Sequence, residues 1–455
     1  MAKRPDIPDS HYAPWELAFG RILTPFEEFI HQETAGSMVL IACTVLALAA
    51  ANSPLSDTYE ALLHTHLVIT LGSWTLDHTL HHWINDGLMA LFFFVVGLEI
   101  KREVVVGELS DPRAAALPIV AALGGMAVPA IIYALFNAGG EGARGWGIPM
   151  ATDIAFAIGV LALLGNRVPK TLYTFLVALA IVDDLGAVAV IAIFYTERIV
   201  GEALAAAGAC LGVLMVFNLA GVRSAVPHFA VSVLLWLAML ESGVHATVAG
   251  VLAAWTIPSR PKLDPARFSE HVRGLMDRFD GMAKDSAAHI HGPEQRAIVQ
   301  AVESGIHRVE SPLQRLEHAM HTPVAFFVIP LFALANAGVP IDLGTVGNTL
   351  AGAVPLGIVC GLVAGKLLGI AGLGMLAVKL GVAELPRGCR AVHIVGVSLL
   401  AGIGFTMSIF IAELAFRGQP ELIIAAKTGI LLASLVSGIA GYLWLRTWGH
   451  SESPA

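Results

Sequence analysis

Twelve segments of this 455-residue chain read as bilayer spans, and that limits the backbone before any other consideration. In hydrocarbon every peptide N–H and C=O must be paired within the protein, so only helices and closed barrels can cross. A helix needs about 20 apolar residues and a barrel strand about 9–11. The segments lie near 36–52, 87–100, 115–136, 147–164, 171–196, 202–220, 225–241, 243–257, 323–339, 349–378, 391–416 and 420–445. Most are helix-length, and the chain is predicted to be an all-α polytopic membrane protein. Its composition agrees: 56% of residues are hydrophobic and 14% charged, against roughly 25% charged in soluble domains.

An even number of spans puts both termini on one side. With the N-terminus inside, the short inner segments hold 13 Lys and Arg, whereas the outer ones hold only Arg144, Arg198 and Arg417. This bias predicts cytoplasmic termini. The expected divisions are an N-terminal segment 1–35, spans one to eight over 36–257, a long cytoplasmic loop 258–322, spans nine to twelve over 323–445, and a tail 446–455. The loop has nine basic and nine acidic residues and is left out of the charge count. Within it, Phe268, Val272, Leu275, Phe279 and Met282, then Ile298, Val302, Ile306, Val309, Leu313 and Leu316, recur at helical spacing and predict amphipathic helices. Lys3, Arg4 and Arg21 precede no apolar core with a cleavage site, so no removable signal is expected. The net charge of −8 gives no reason to expect a nucleic-acid partner, and the medium is membrane lipid. Cys43, Cys210, Cys360 and Cys389 lack ligand spacing, which predicts neither a disulfide framework nor zinc.

Residues 52–84 contain no Lys or Arg. There, Leu67–Leu71, Gly72-Ser73 and Trp74–Leu76 follow the pattern of a β-hairpin with a two-residue turn. An outer hairpin would suit a contact between two copies. A loop at the membrane surface carrying His64, His66, His78, His81 and His82 fits the segment equally well.

Asp183 and Asp184 interrupt the apolar run 171–196, where a central carboxylate costs roughly 2.5–3.5 kcal/mol to insert. Successive helical side chains diverge by about 100°, so the two project differently and should have different duties. One can face a cavity that takes either a proton or a hard cation with oxygen ligands. The other can face Lys366, which stands in the tenth span. Two further spans contain helix breakers at related places: Gly147-Ile-Pro149-Met-Ala-Thr152-Asp153 and Gly402-Ile-Gly404-Phe-Thr406-Met-Ser408. Interrupted spans in two halves of a chain point to a transporter site. Each break exposes helix ends with about half a charge. Asp153 could offset the positive ends and Lys366 the negative ones, although a Pro kink with a satisfied Thr152 would need neither.

Glu99 and Glu103 lie one turn apart at the inner end of the second span, beside Arg102. They could gather cations, sense pH, or simply anchor the helix at the interface. His245 and the Leu316-Glu317-His318 segment can titrate near neutral pH or be structural. Two other functions share parts of this pattern. A Na+-coupled symporter of an organic anion would use similar broken helices, but no Arg lies within the membrane. An intramembrane aspartyl protease would need its aspartates facing each other from separate helices.

Trp83-Ile-Asn-Asp-Gly-Leu-Met, Gly97-Leu-Glu-Ile-Lys-Arg-Glu, Ala151-Thr-Asp-Ile-Ala-Phe-Ala, Ala180-Ile-Val-Asp-Asp-Leu-Gly, Gly243-Val-His-Ala-Thr and Gly402-Ile-Gly-Phe-Thr-Met-Ser occur in this order. By these motifs the chain resembles the NhaA family of bacterial Na+/H+ antiporters from about residue 24 to 447. The resemblance implies that Asp183 and Asp184 carry Na+ or Li+ and protons, with Thr152, Asp153 and Lys366 completing the site. It implies no cofactor and no enzymatic reaction. It further implies electrogenic exchange of two inward protons for one outward ion by alternating access, inverted repeats of spans three to five and ten to twelve, and two crossing helices. A pH-response or cation-entrance cluster maps to Glu99, Arg102, Glu103, His245 and Glu317. A homodimer through the outer hairpin near residues 66–79, in the bacterial inner membrane, is also implied. The loop 259–316 is longer than in typical members.

Overall fold

Helices satisfy their own backbone polar groups, and the apolar runs of this chain fold accordingly. The computed structural model describes residues 25–449 except 73, 197–198, 261–264, 284–292, 341–343 and 345. Ser73 of the predicted turn, Arg198, residues 1–24 of the N-terminal segment and 450–455 of the tail lie outside the described residues. The first half contains α1 (Pro25–Ala51), strands β1 (His66–Leu71) and β2 (Trp74–Thr79), α2 (Met89–Val105), α3 (Pro112–Asn137), α4 (Ile154–Ala162), α5 (Lys170–Phe194), α6 (Gly201–Leu219), α7 (Ala225–Ser242) and α8 (Val248–Thr256). After it come α9 (Pro265–Ala283), α10 (Pro293–Val309), α11 (Pro312–Asn336), α12 (Ala353–Lys379), α13 (Ala391–Leu400), α14 (Phe405–Ala415) and α15 (Pro420–Trp448).

Among the described residues, eight helices are long and apolar enough to cross a membrane, or ten spans if each of two bent pairs counts once. The other two predicted spans correspond to α2, with 17 residues, and α8, with nine. Gly243 ends α7 at φ 80°, and residues 243–247 of the apolar segment 243–257 lie outside any helix, a distinction that hydropathy does not register. α2 and α8 pack at close range: a Cβ on Gly97 would lie 2.8 Å from Ala254 Cβ, and one on Gly250 2.3 Å from the Ala90 carbonyl. Small residues of this kind let helices approach in lipid, where packing drives association. Lys101 caps the neighbour, donating to the Trp255 and Ile257 carbonyls at 2.5 Å each.

The helix that contains the ninth predicted span, 323–339, begins upstream of it, at Pro312. Ser311 and Gln314 form a capping box and Pro312 occupies the first turn. Arg315, Glu317, His318 and His321 had masked this helix from a hydropathy reading. The preceding loop contains helices α9 and α10, which meet where Gly305 faces the Phe268 ring. At the opposite end, β1 and β2 pair antiparallel from His66↔Thr79 to Leu71↔Trp74, and Gly72 turns at φ 63°.

α3 and α12 touch backbone to backbone, since a Cβ on Gly124 would stand 2.2 Å from the Gly369 carbonyl and the reverse is equally tight. This contact places the middle of α12, with Lys366, against the centre of the bundle.

Candidate functional site

Two broken helices form the site. Glu141–Met150 winds as a tight helix, Ala151–Asp153 is extended, and α4 then leaves at 42°. α13 ends at Leu400, residues 401–404 turn, and α14 leaves at 48°. Each break strands backbone groups that a continuous helix would pair. The partner break takes them up: Asp153 N–H donates to the Ile403 carbonyl at 2.6 Å, and the Thr152 hydroxyl donates to the Ala401 carbonyl at 2.9 Å. The Ser408 hydroxyl donates to the Ile148 carbonyl at 2.8 Å. Irregular backbone is therefore buried in protein, the condition under which a membrane tolerates it.

The helix ends are neutralised by two opposite charges. Asp153 caps α4 by accepting from Phe156 N–H at 3.1 Å, and its second oxygen accepts from Thr406 N–H at 3.0 Å in the first turn of α14, as well as from the Thr406 hydroxyl. One carboxylate thus serves two positive helix ends. Lys366, between two wide π-type turns of α12, donates to the carbonyl of Met150 at the end of the first half-helix and to Asp183 Oδ2 at 2.7 Å. Thr152, Asp153, Asp183, Asp184 and Lys366 are all buried. Buried charges need partners, yet Asp183 Oδ1 and Asp184 Oδ1 have no hydrogen-bond partner among the described residues. Both aspartates stand on α5 with different surroundings. Asp183 pairs with Lys366, while Asp184 feels the charges of Asp183, Glu99, Asp153 and Lys366.

Arg102 joins two of the remaining predicted residues, lying 2.9 Å from both Glu103 and Glu317 at the inner end of α2. Glu103 also accepts from Glu108 N–H at 3.0 Å. Glu99 sits on the same helix, nearer the aspartates. His245 does not join them. Its ring is 6.1 Å from that of Phe410, and its charged neighbours are Asp86, Arg417 and His82, at the opposite end of α2. Glycine at 243 and the short α8 place residue 245 there, although all five residues map to one cluster by resemblance.

Several polar residues of the site carried little signal in the sequence. Ser434, one hydroxyl in the long apolar α15, accepts from Phe405 N–H at 3.2 Å at the start of α14. Asn336 donates to Asn85 Oδ1 at 2.7 Å and lies 3.1 Å from His81, joining α11 to the start of the second span. Among the described residues no group of three or more His, Cys, Asp and Glu side chains is arranged to hold a metal.

The sequence profile of the family described as "Na+/H+ antiporter 1" matches residues 27–445. The chain is 55% identical over 435 residues to the Na(+)/H(+) antiporter NhaA of Sulfurimonas denitrificans, covering 96% of this chain and 98% of that one. It is 53% identical over 439 residues to Na(+)/H(+) antiporter NhaA 1 of Saccharophagus degradans, covering 96% and 95%. A third relative, the Na(+)/H(+) antiporter NhaA of Oleidesulfovibrio alaskensis, is 47% identical over 449 residues. With a profile match spanning nearly all its membrane helices and such identity over nearly full-length relatives, this chain belongs to the Na+/H+ antiporter 1 family.

Proposed function

We propose that this protein is a Na+/H+ antiporter, not an enzyme, and that the buried pair Asp183–Asp184 is where the two ions compete. The observation that carries the site is the combination of two carboxylate oxygens without a hydrogen-bond partner among the described residues and an ion pair, Lys366–Asp183, beside the crossed breaks. A desolvated cation such as Na+ or Li+ needs oxygen ligands, and the site supplies Asp183 and Asp184, with the hydroxyl of Thr152 nearby. In this reading Asp184 binds the cation and Asp183 has two alternative partners, the cation or Lys366. Cation occupancy of Asp183 frees Lys366, and protonation on the opposite face of the membrane ejects the cation and restores the pair. Exchanging two protons for one Na+ moves net charge inward, so the cycle is electrogenic. Asp153 and Thr406 keep the helix ends compensated throughout and take no proton.

The same proposal includes twelve spans, with α2 and α8 as the two short ones, and both termini cytoplasmic in the bacterial inner membrane. Each broken helix then stands between two long ones, α3 and α5 or α12 and α15. The broken spans are seven apart in order, so they run in opposite directions, as inverted repeats require. The hairpin β1–β2, with Leu67, Val68 and Ile69 exposed, is proposed to join two copies. Glu99, Arg102, Glu103 and Glu317 are proposed to set the response to inner pH or to gather cations at the entrance, with His245 acting from the other end.

The test is the pH change inside everted vesicles on adding NaCl or LiCl. Wild-type protein dissipates an imposed proton gradient, and Asp184→Asn, inserted at normal levels, does not. Unimpaired exchange by that variant would remove the mechanism.

A further inference from the structure

A groove of about 420 Å³ opens on the lipid-facing side of the bundle between α1, α4 and α15. Its walls are almost wholly apolar, and its floor is formed by Ile403 and Phe405, the far side of the second helix break. On α15 it extends from Leu431 to Leu443, roughly 18 Å at 1.5 Å per residue. That is close to half of a hydrocarbon core about 30 Å thick, so the groove occupies one leaflet and stops near the depth of the break. A crossing helix of another protein would need a seam of twice that length. Gly438 lowers the α15 wall of the groove, where a Cβ would already stand in van der Waals contact with Ile403 Cδ1 at 3.5 Å.

The mouth of the groove is not apolar. Arg446 lies over the Tyr442 ring, 5.9 Å from its centroid, and Tyr442 lines the groove. Among the described residues Arg446 has no hydrogen bond or ion pair, and Trp448 beside it is exposed, as expected of side chains at the headgroup level. An unpaired guanidinium over the end of a leaflet-long apolar cleft matches a phosphate joined to an acyl chain.

We propose that this groove binds one acyl chain of an anionic phospholipid from the leaflet at the Arg446 end, with the phosphate on Arg446 and the chain end against Ile403 and Phe405. The lipid then braces the crossing from behind. The Ile403 carbonyl already holds Asp153 N–H, and Phe405 packs edge-on against Phe156, centroids 4.9 Å apart, on the other helix. The site is separate from the ion site and does not depend on which ions are exchanged.

The experiment uses the full-length protein in nanodiscs containing trace phosphatidylglycerol with a photoreactive group at the end of one acyl chain. Peptides are then mapped by mass spectrometry. Labelling should concentrate on Ile403 and Phe405 and on the residues around them, Phe156, Ser434 and Gly438. It should fall about fivefold in Arg446→Gln, the effect of one basic side chain at an anionic surface. Phosphatidylcholine bearing the same chain should label these residues equally weakly. Gly438→Leu, which fills the cleft, should abolish the local enrichment while size-exclusion behaviour and thermal midpoint show the protein folded. Labelling spread evenly around the bundle, or unchanged in Gly438→Leu, would mean ordinary boundary lipid and overturn the proposal. Equal labelling by both lipids, unaffected by Arg446→Gln, would overturn its headgroup half. None of these readouts involves transport, so a failed antiport assay and a failed lipid assay remain distinct results.

Discussion

Lys366–Asp183 at the crossing and Arg102–Glu317 at the inner end of α2 are ion pairs of nearly equal length, 2.7 and 2.9 Å. Their surroundings differ sharply. Lys366 and Asp183 are sealed at 0% and 1% exposure, whereas the Arg102 side chain is 37% exposed. A buried charge that loses its partner is left with an uncompensated desolvation cost, so the midplane pair has few stable states, paired or re-paired with another ion. The inner pair is only partly open to water, with the Glu317 side chain at 12% exposure, so it is partly screened by salt and can respond more gradually to pH and ionic strength. Similar chemistry is therefore suited to switching in one place and to tuning in the other.

The largest contrast should come from removing the cation of each pair. Lys366→Ala should cost about 3–5 kcal/mol by leaving Asp183 unpaired, read as a thermal midpoint in detergent, and Asp183→Asn added to it should recover much of the loss. If Lys366 carries the second proton, the surviving exchange is electroneutral, which a voltage-sensitive dye in proteoliposomes reports. A loss no greater than that of Arg102→Ala would break the comparison.

Next in size is Asp153→Ala, which removes a helix cap and leaves the Phe156 and Thr406 amides without their acceptor. With each unsatisfied buried group costing about 1–3 kcal/mol, the protein should be destabilised and both crossing segments should gain amide hydrogen exchange. Overpacking where α3 meets α12, by Gly369→Val, should cost about 1–3 kcal/mol and shift Lys366 from Asp183. A lowered exchange rate together with a lower midpoint is the expected signature.

The smallest stability effect belongs to Arg102→Ala, at no more than about 1 kcal/mol and less at high salt. Its effect should instead show in the pH dependence of exchange, measured in everted vesicles. His245→Ala should not reproduce that change, because His245 lies at the other end of α2. Identical pH profiles for the two variants would make the separation functionally irrelevant.

How visible each residue was in the sequence follows from the cost of placing it in hydrocarbon. Asp153, Asp183, Asp184 and Lys366 stand out because an ionisable group in an apolar run needs a reason. Ser434 and Ser408 do not, since a hydroxyl in a membrane helix can bond its own backbone and usually signals nothing. The start of the helix that contains the ninth span was hidden for the opposite reason. The charged first turns of α11 are helical because Ser311 and Pro312 begin them, and a hydropathy window registers composition, not caps. The five residues mapped to one pH cluster show the limit of linear position, since His245 is separated from the rest by a turn whose direction depends on how α7 and α8 pack.

The sequence by itself determined that the chain is helical and polytopic, that two of its helices are broken, and that carboxylates and two lysines, Lys366 and Lys427, lie within the predicted spans. Those properties follow from the solvent: hydrocarbon imposes the same requirements on every apolar segment, wherever it packs. Only the tertiary structure decided that one break satisfies the backbone of the other, that Asp153 serves both, that Lys366 meets Asp183, and that two aspartate oxygens have no partner among the described residues. Such pairings depend on the approach of segments some 180 to 250 residues apart. Close contacts between glycines set that approach, and a glycine at a helix contact looks no different in sequence from a glycine facing lipid.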